Sequence, residues 1–130
     1  MEKKELENIF TRDFLNELLP LDLSDLFFEA LYGDASEGAY DIKLEFESAD
    51  SKQITLCFKL IRRPDKCLVC SLTYGLPKVF ACHPLINIKN MVKKIKNKGI
   101  KIKNWKFGNT QENNSSMHSI PLYLELDRLL

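Results

Sequence analysis

The chain has 130 residues, 45% of them hydrophobic and 28% charged, which suits one domain that buries about two-thirds of its unfolded surface and needs no metal or disulfide to hold its core. No apolar run approaches the ~20 residues that cross a bilayer, and no signal-type stretch follows the charged start Met1-Glu2-Lys3-Lys4-Glu5, so a membrane-spanning helix is excluded, a cytoplasmic location is expected and the four cysteines read as thiols. The net charge of +1 hides a split: residues 1–50 carry 14 acids and four bases, residues 51–130 carry four acids and 15 bases, and no Asp or Glu lies between Asp65 and Glu112.

Leu6, Ile9, Phe10, Phe14, Leu18 and Leu19 recur at three- and four-residue steps, which predicts helix over the first ~20 residues. Thr11 is placed to cap a second segment and Pro20 to stop it. A further short helix is predicted from Ser24 to Tyr32, ended by Gly33. Leu23, Leu26, Phe27, Ala30 and Leu31 fall on one side of it, and Phe28 and Tyr32, four apart, on another. A helix apolar on two sides is either sandwiched or holds a second partner, and Phe28 and Tyr32 are therefore the candidate interface residues.

The period then changes to two. Tyr40, Ile42, Leu44 and Phe46 alternate with Asp41, Lys43, Glu45 and Glu47, a half-buried strand. After the turn Ser48-Ala49-Asp50-Ser51, Ile54, Leu56, Phe58 and Leu60 face one way along a second strand. Arg63-Pro64-Asp65-Lys66 is a turn, and a third strand is predicted from Cys67 to about Tyr74, with Leu68, Cys70 and Leu72 inward, broken by Gly75-Leu76-Pro77. His83-Pro84 is expected to open a helix that runs to Lys98 and stops at Gly99, with Ile88, Met91, Val92 and Ile95 as its apolar stripe and Lys89, Lys93 and Lys96 as a basic ridge nearly opposite. A fourth strand, Ile100–Phe107, a flexible polar loop over 108–116 and a fifth strand, Ile120–Leu126, complete the chain.

This order predicts a single α+β domain over 1–130: two N-terminal helices and a largely antiparallel five-stranded sheet, with one helix inserted between strands 3 and 4. That inserted connection is long enough to allow one parallel pair. The order of elements resembles that of the small dimeric secretion chaperones, which run helix, three strands, helix, two strands; the chain departs from them in its near-neutral pI of 7.6 and its ending Asp127-Arg128-Leu129-Leu130.

Three constellations bear on chemistry. Cys67-Leu68-Val69-Cys70 has CxxC spacing, but on a strand residues three apart face opposite ways, and no helix N-terminus lowers a thiol pKa there, so neither a zinc half-site nor a redox pair is expected. Cys82-His83 sets a thiol beside an imidazole, which with His118 could form a nucleophilic site only if the polar loop folds back. The third is basic: Lys89, Lys93, Lys94, Lys96, Lys98, Lys101, Lys103 and Lys106 fall within 18 residues, and Trp105 and Phe107 share a face with Lys101 and Lys103 if their strand is regular. Aromatics among lysines can stack bases while the charges hold phosphates, although the cluster lacks arginine. Mutual packing of the acidic and basic halves explains the same charges without a partner.

The sequence thus predicts a non-enzymatic protein-interaction module, adaptor-like or chaperone-like, with a homodimer as one form and with no cofactor, metal or catalytic residue. The alternative is a nucleic-acid binder using Lys89, Lys93, Lys96, Lys101, Lys103 and Trp105; a thiol enzyme at Cys82/His83 is the third reading.

Overall fold

The structure, a computed structural model, describes residues 3–20, 23, 25, 26, 29, 40–50, 52–64, 76–82, 86–114 and 116–126. The chain opens with two short helices, α1 (Lys3–Ile9) and α2 (Arg12–Leu18). Thr11 separates them: its extended backbone ends the first, and its hydroxyl accepts from the Phe14 amide at 3.2 Å, capping the second. Leu6, Phe10, Phe14, Leu15, Leu18 and Leu19 are buried, so the helical stripe read from the sequence is the packed face. The predicted helix Ser24–Tyr32 is described only at Asp25, Leu26 and Glu29, all helical, as is Leu23 just before it. Leu23 is buried, whereas Leu26, assigned to the same apolar side, is 45% exposed. Phe28 and Tyr32 lie outside the described residues.

Next come β1 (Tyr40–Ala49) and β2 (Gln53–Arg62), an antiparallel hairpin. Its turn is closed by Asp50, whose Oδ1 accepts from the Lys52 and Gln53 amides at 2.7 and 2.9 Å. The predicted third strand, Cys67–Tyr74, lies outside the described residues. Two helices follow, α3 (Leu76–Cys82) and α4 (Ile88–Lys96). This corrects the expectation of one helix opening at His83-Pro84. Pro77 sits in the first turn of α3, where its missing N–H leaves no hydrogen bond unmade, so the supposed breaker is a helix start. The second start is Asn87, left-handed at φ 47°, whose side-chain oxygen accepts from the Asn90 amide at 3.3 Å. Ile88, Met91, Val92 and Ile95 are buried as the stripe predicts.

Three strands end the described chain: β3 (Ile102–Phe107), β4 (Gln111–Asn114) and β5 (Met117–Leu126). The stretch expected as a loop, 108–116, contains β4, which pairs with the start of β5. The sheet order is β1-β2-β5-β3, with β4 alongside β5 on the same edge as β3. Every pairing among the described residues is antiparallel; the parallel pair that the inserted connection allowed would start from 67–74, which lie outside them. The molecule is α+β with a five-stranded antiparallel sheet and helices inserted before its last strands. No helix among the described residues is long and apolar enough to cross a membrane.

The register stacks the alternating residues in columns. Leu44 lies opposite Phe58 and Phe58 opposite Ile120; Phe46 pairs with Leu56, Leu56 with Leu122 and Leu122 with Phe107. Nearly all of these are buried, and Phe46 and Phe107 pack partly buried against them. Helices cover this face from both sides. Phe10 of the α1–α2 joint stacks on Phe46 at 5.4 Å, and Phe80 of α3 meets Phe58 at 5.4 Å and Phe107 at 6.4 Å. Arg12 donates to the Leu44 carbonyl of β1, and its guanidinium lies 3.6 Å from Glu45, which covers part of the outer edge of that strand.

Candidate functional site

On α4 the buried stripe forces Lys89, Lys93 and Lys96 outward, and all three are exposed. Lys93, Lys94 and Lys96 occupy the last turn, where cations suit the negative end of the helix dipole. Lys94 and Lys98 lean instead on α2: Lys94 Nζ donates to the Glu17 carbonyl at 3.4 Å, and Lys98 Nζ sits 4.8 Å from the centroid of the Phe14 ring. Beyond Gly99, whose φ of 94° suits a glycine, Lys101, just ahead of edge strand β3, and Lys103 and Lys106 within it are exposed. Ion pairs among the described residues join Arg12 and Lys43 to Glu45, and Arg63 to Asp25 and Asp41. None of them includes a lysine between 89 and 106.

The structure separates the aromatic from the basic part of the cluster. The register of β3 against β5 shifts between Ile102 and Asn104, so Lys103 is an extra residue and the strand bulges there. Ile102 is buried, and Trp105 and Phe107, three and five residues on, lie on the same core-facing side. The condition for Lys101 and Lys103 to share a face with Trp105 and Phe107, a regular strand, is not met.

Trp105 is half-buried and meets Phe107 edge-on, with centroids 6.0 Å apart and planes at 85°. A groove of about 570 Å³ opens beside it, between α3 and the end of β3. Pro77, Ala81, Trp105 and Phe107 line it, with Lys78 and Lys106 flanking. A second groove of about 380 Å³ lies at the end of the sheet, where Lys52, Asn104, Lys106, Tyr123 and Glu125 join Trp105. Sequence reasoning missed the larger groove because it required α3. The signal for that helix was a Pro near a helix start followed by the core residue Phe80, which is fully buried.

Of the thiol and imidazole side chains, those of Cys57 and His118 are described. Cys57 is 2% exposed on the sheet face opposite the core side chains, beside Glu45 and Pro121. Burial pushes its pKa up, against smaller downward pulls from Lys59 and from a hydrogen bond with Ser119, so this thiol is protonated and unreactive. Cys67, Cys70 and His83, like the side chain of Cys82, lie outside the described residues. His118 is in β5, 1% exposed, opposite Leu60 on one side and Glu112 on the other. The polar stretch does fold back onto β5, but it leaves this imidazole buried rather than facing a cleft. Among the described residues no three His, Cys, Asp or Glu side chains gather as metal ligands.

The chain matches no protein-family model, no curated protein sequence and no solved structure.

Proposed function

We propose that this chain is a non-enzymatic binding module of the cytoplasm whose working surface is the basic face formed by the outer side of α4 and the start of β3, and whose partner is a polyanion. The observation that supports it is the set of exposed lysines, Lys89, Lys93, Lys96, Lys101 and Lys103, that enter no ion pair among the described residues. Lysines on an edge strand have another use, since they deter strand-to-strand aggregation. That use accounts for Lys103 on β3 and Lys101 just ahead of it, but not for Lys89, Lys93 and Lys96, which are on a helix. A same-sign surface of this kind raises the local concentration of anions and speeds their capture.

Replacing Lys89, Lys93 and Lys96 together by Gln tests it. Binding of a fluorescent oligonucleotide should weaken, and the slope of log affinity against log salt should shrink by about 2–3. An unchanged slope and affinity would overturn the reading. A second reading, a protein-binding or self-associating surface, is favoured by the exposure of Leu26 in the stretch that carries Phe28 and Tyr32.

A further inference from the structure

We propose that the groove between α3 and the end of β3 takes an unpaired base of a single-stranded nucleic acid, stacked on Trp105 with the adjoining phosphates held by Lys78 and Lys106; the proposal rests on the polyanion reading above and names its partner class. At about 570 Å³ the groove falls within the size range of small-ligand sites, roughly 300–1,000 Å³. Its apolar lining and its charges point to one kind of occupant. Trp105 and Phe107 supply aromatic surface, Pro77 and Ala81 supply the opposite wall from α3, and among the described residues no carboxylate lines it. A ligand that is flat, aromatic and negatively charged complements all of these at once.

The platform is also held rigid. Phe107 fixes the indole edge-on and is itself packed against Phe58 at 5.6 Å and Phe80 at 6.4 Å. A ring fixed in this way loses little freedom when a base stacks on it. Behind the groove, Gly108 brings the chain hard against β5, where its amide donates to the Pro121 carbonyl at 2.8 Å. Upstream, Lys101, Lys103 and Lys106 lie along about 17 Å of edge strand leading to the groove. A backbone following that edge would meet a lysine at intervals and then reach the indole.

A duplex does not fit this description. Its bases are covered on both faces by their neighbours, so only an unpaired base can present a face to Trp105. An acidic peptide could use the lysines but would leave the aromatic surface without a partner.

Trp105 is the only tryptophan in the chain, so indole fluorescence reports on this one side chain, and Lys78, which lines this groove and not the second, tells the two grooves apart. The intact protein is titrated with an oligothymidylate and with a duplex of the same length, reading indole fluorescence and, in parallel, anisotropy of the labelled nucleic acid. The single strand should quench the indole and bind more tightly than the duplex. Trp105→Leu should weaken the single strand by about tenfold or more and leave the duplex affinity unchanged. Because that substitution touches the core, Lys78→Gln with Lys106→Gln, both exposed positions, provides a second variant whose salt slope should fall by about 1–1.5. Salt-dependent anisotropy without quenching, or equal affinity for single strand and duplex, overturns the groove proposal and leaves the polyanion reading standing. Absence of any salt-dependent binding overturns both.

Discussion

Gly108 shows how much a single residue depends on the strand beside it. A Cβ built there would lie 2.5 Å from Pro121 Cγ and 2.9 Å from a ring carbon of Tyr123. Both contacts belong to side chains seated on β5, one a proline ring with little freedom to yield. Gly108→Ala should therefore destabilise the fold by about 1–3 kcal/mol, measured as a shift of the urea midpoint at unchanged m-value. In the sequence this glycine reads only as a turn residue, because the reason for it lies thirteen and fifteen positions further on, at Pro121 and Tyr123. For Cys57 a thiol was the expected state, but alternation puts it on the face away from the core side chains, so its burial was not legible, and its raised pKa, in which burial outweighs the downward pulls of Lys59 and Ser119, needed the structure.

At the scale of elements, what could be read in advance was what repeats. β1, β2 and β5 alternate apolar and polar residues, and their columns Leu44–Phe58–Ile120 and Phe46–Leu56–Leu122 follow from that alternation. Thr11 was legible as a cap because a hydroxyl before a helix has one obvious amide to satisfy. The rest was hidden by local exceptions. Pro77 can end a strand or begin a helix, and only packing against β3 decides. β4, Gln111–Asn114, is exposed at every residue, so it has no periodic signal and owes its strand form to pairing with β5. The bulge at Lys103 reverses the facing of everything before it. A regular strand of the same length would turn Ile102 away from the core, and the bulge restores its place opposite Leu126. Deleting Lys103 leaves Ile102 two residues before Trp105, where plain alternation keeps it on the core side, so the change should cost under about 1 kcal/mol in thermal or urea unfolding, whereas Ile102→Ala should cost about 2–5 kcal/mol. A loss on deletion as large as that of Ile102→Ala would mean that the bulge itself, not the alternation, holds Ile102 inward.

For the whole molecule, the contrast between an acidic first part and a basic remainder is partly resolved by contact. Lys94 and Lys98 of the α4 end rest on α2, and Arg63 joins Asp41 of β1 to Asp25. Lys94 and Lys98 are held by a carbonyl and a ring, not by carboxylates, so the lysine-rich face keeps its charge. Association of the molecule through the other candidate surface is separable from this. Phe28→Ser with Tyr32→Ser should lower solution mass or partner capture while leaving the melting temperature within a few degrees if those residues form an interface. Unfolding of that variant with no specific loss of association would make them core and remove the second reading.

The sheet order carries one more consequence, for the chain as it is made. β5 is inserted between β2 on one side and β3 and β4 on the other, yet β2 ends at Arg62 and β5 begins only at Met117. A nascent chain can close the β1–β2 hairpin early, but the inner edge of β2 then stays bare while α3, α4, β3 and β4 are synthesised. Pairings this far apart in sequence form late, and an unpaired strand edge on a partly made chain is a template for association with its neighbours. On the ribosome, the last of the described strands to emerge is the one that joins the two parts of the sheet.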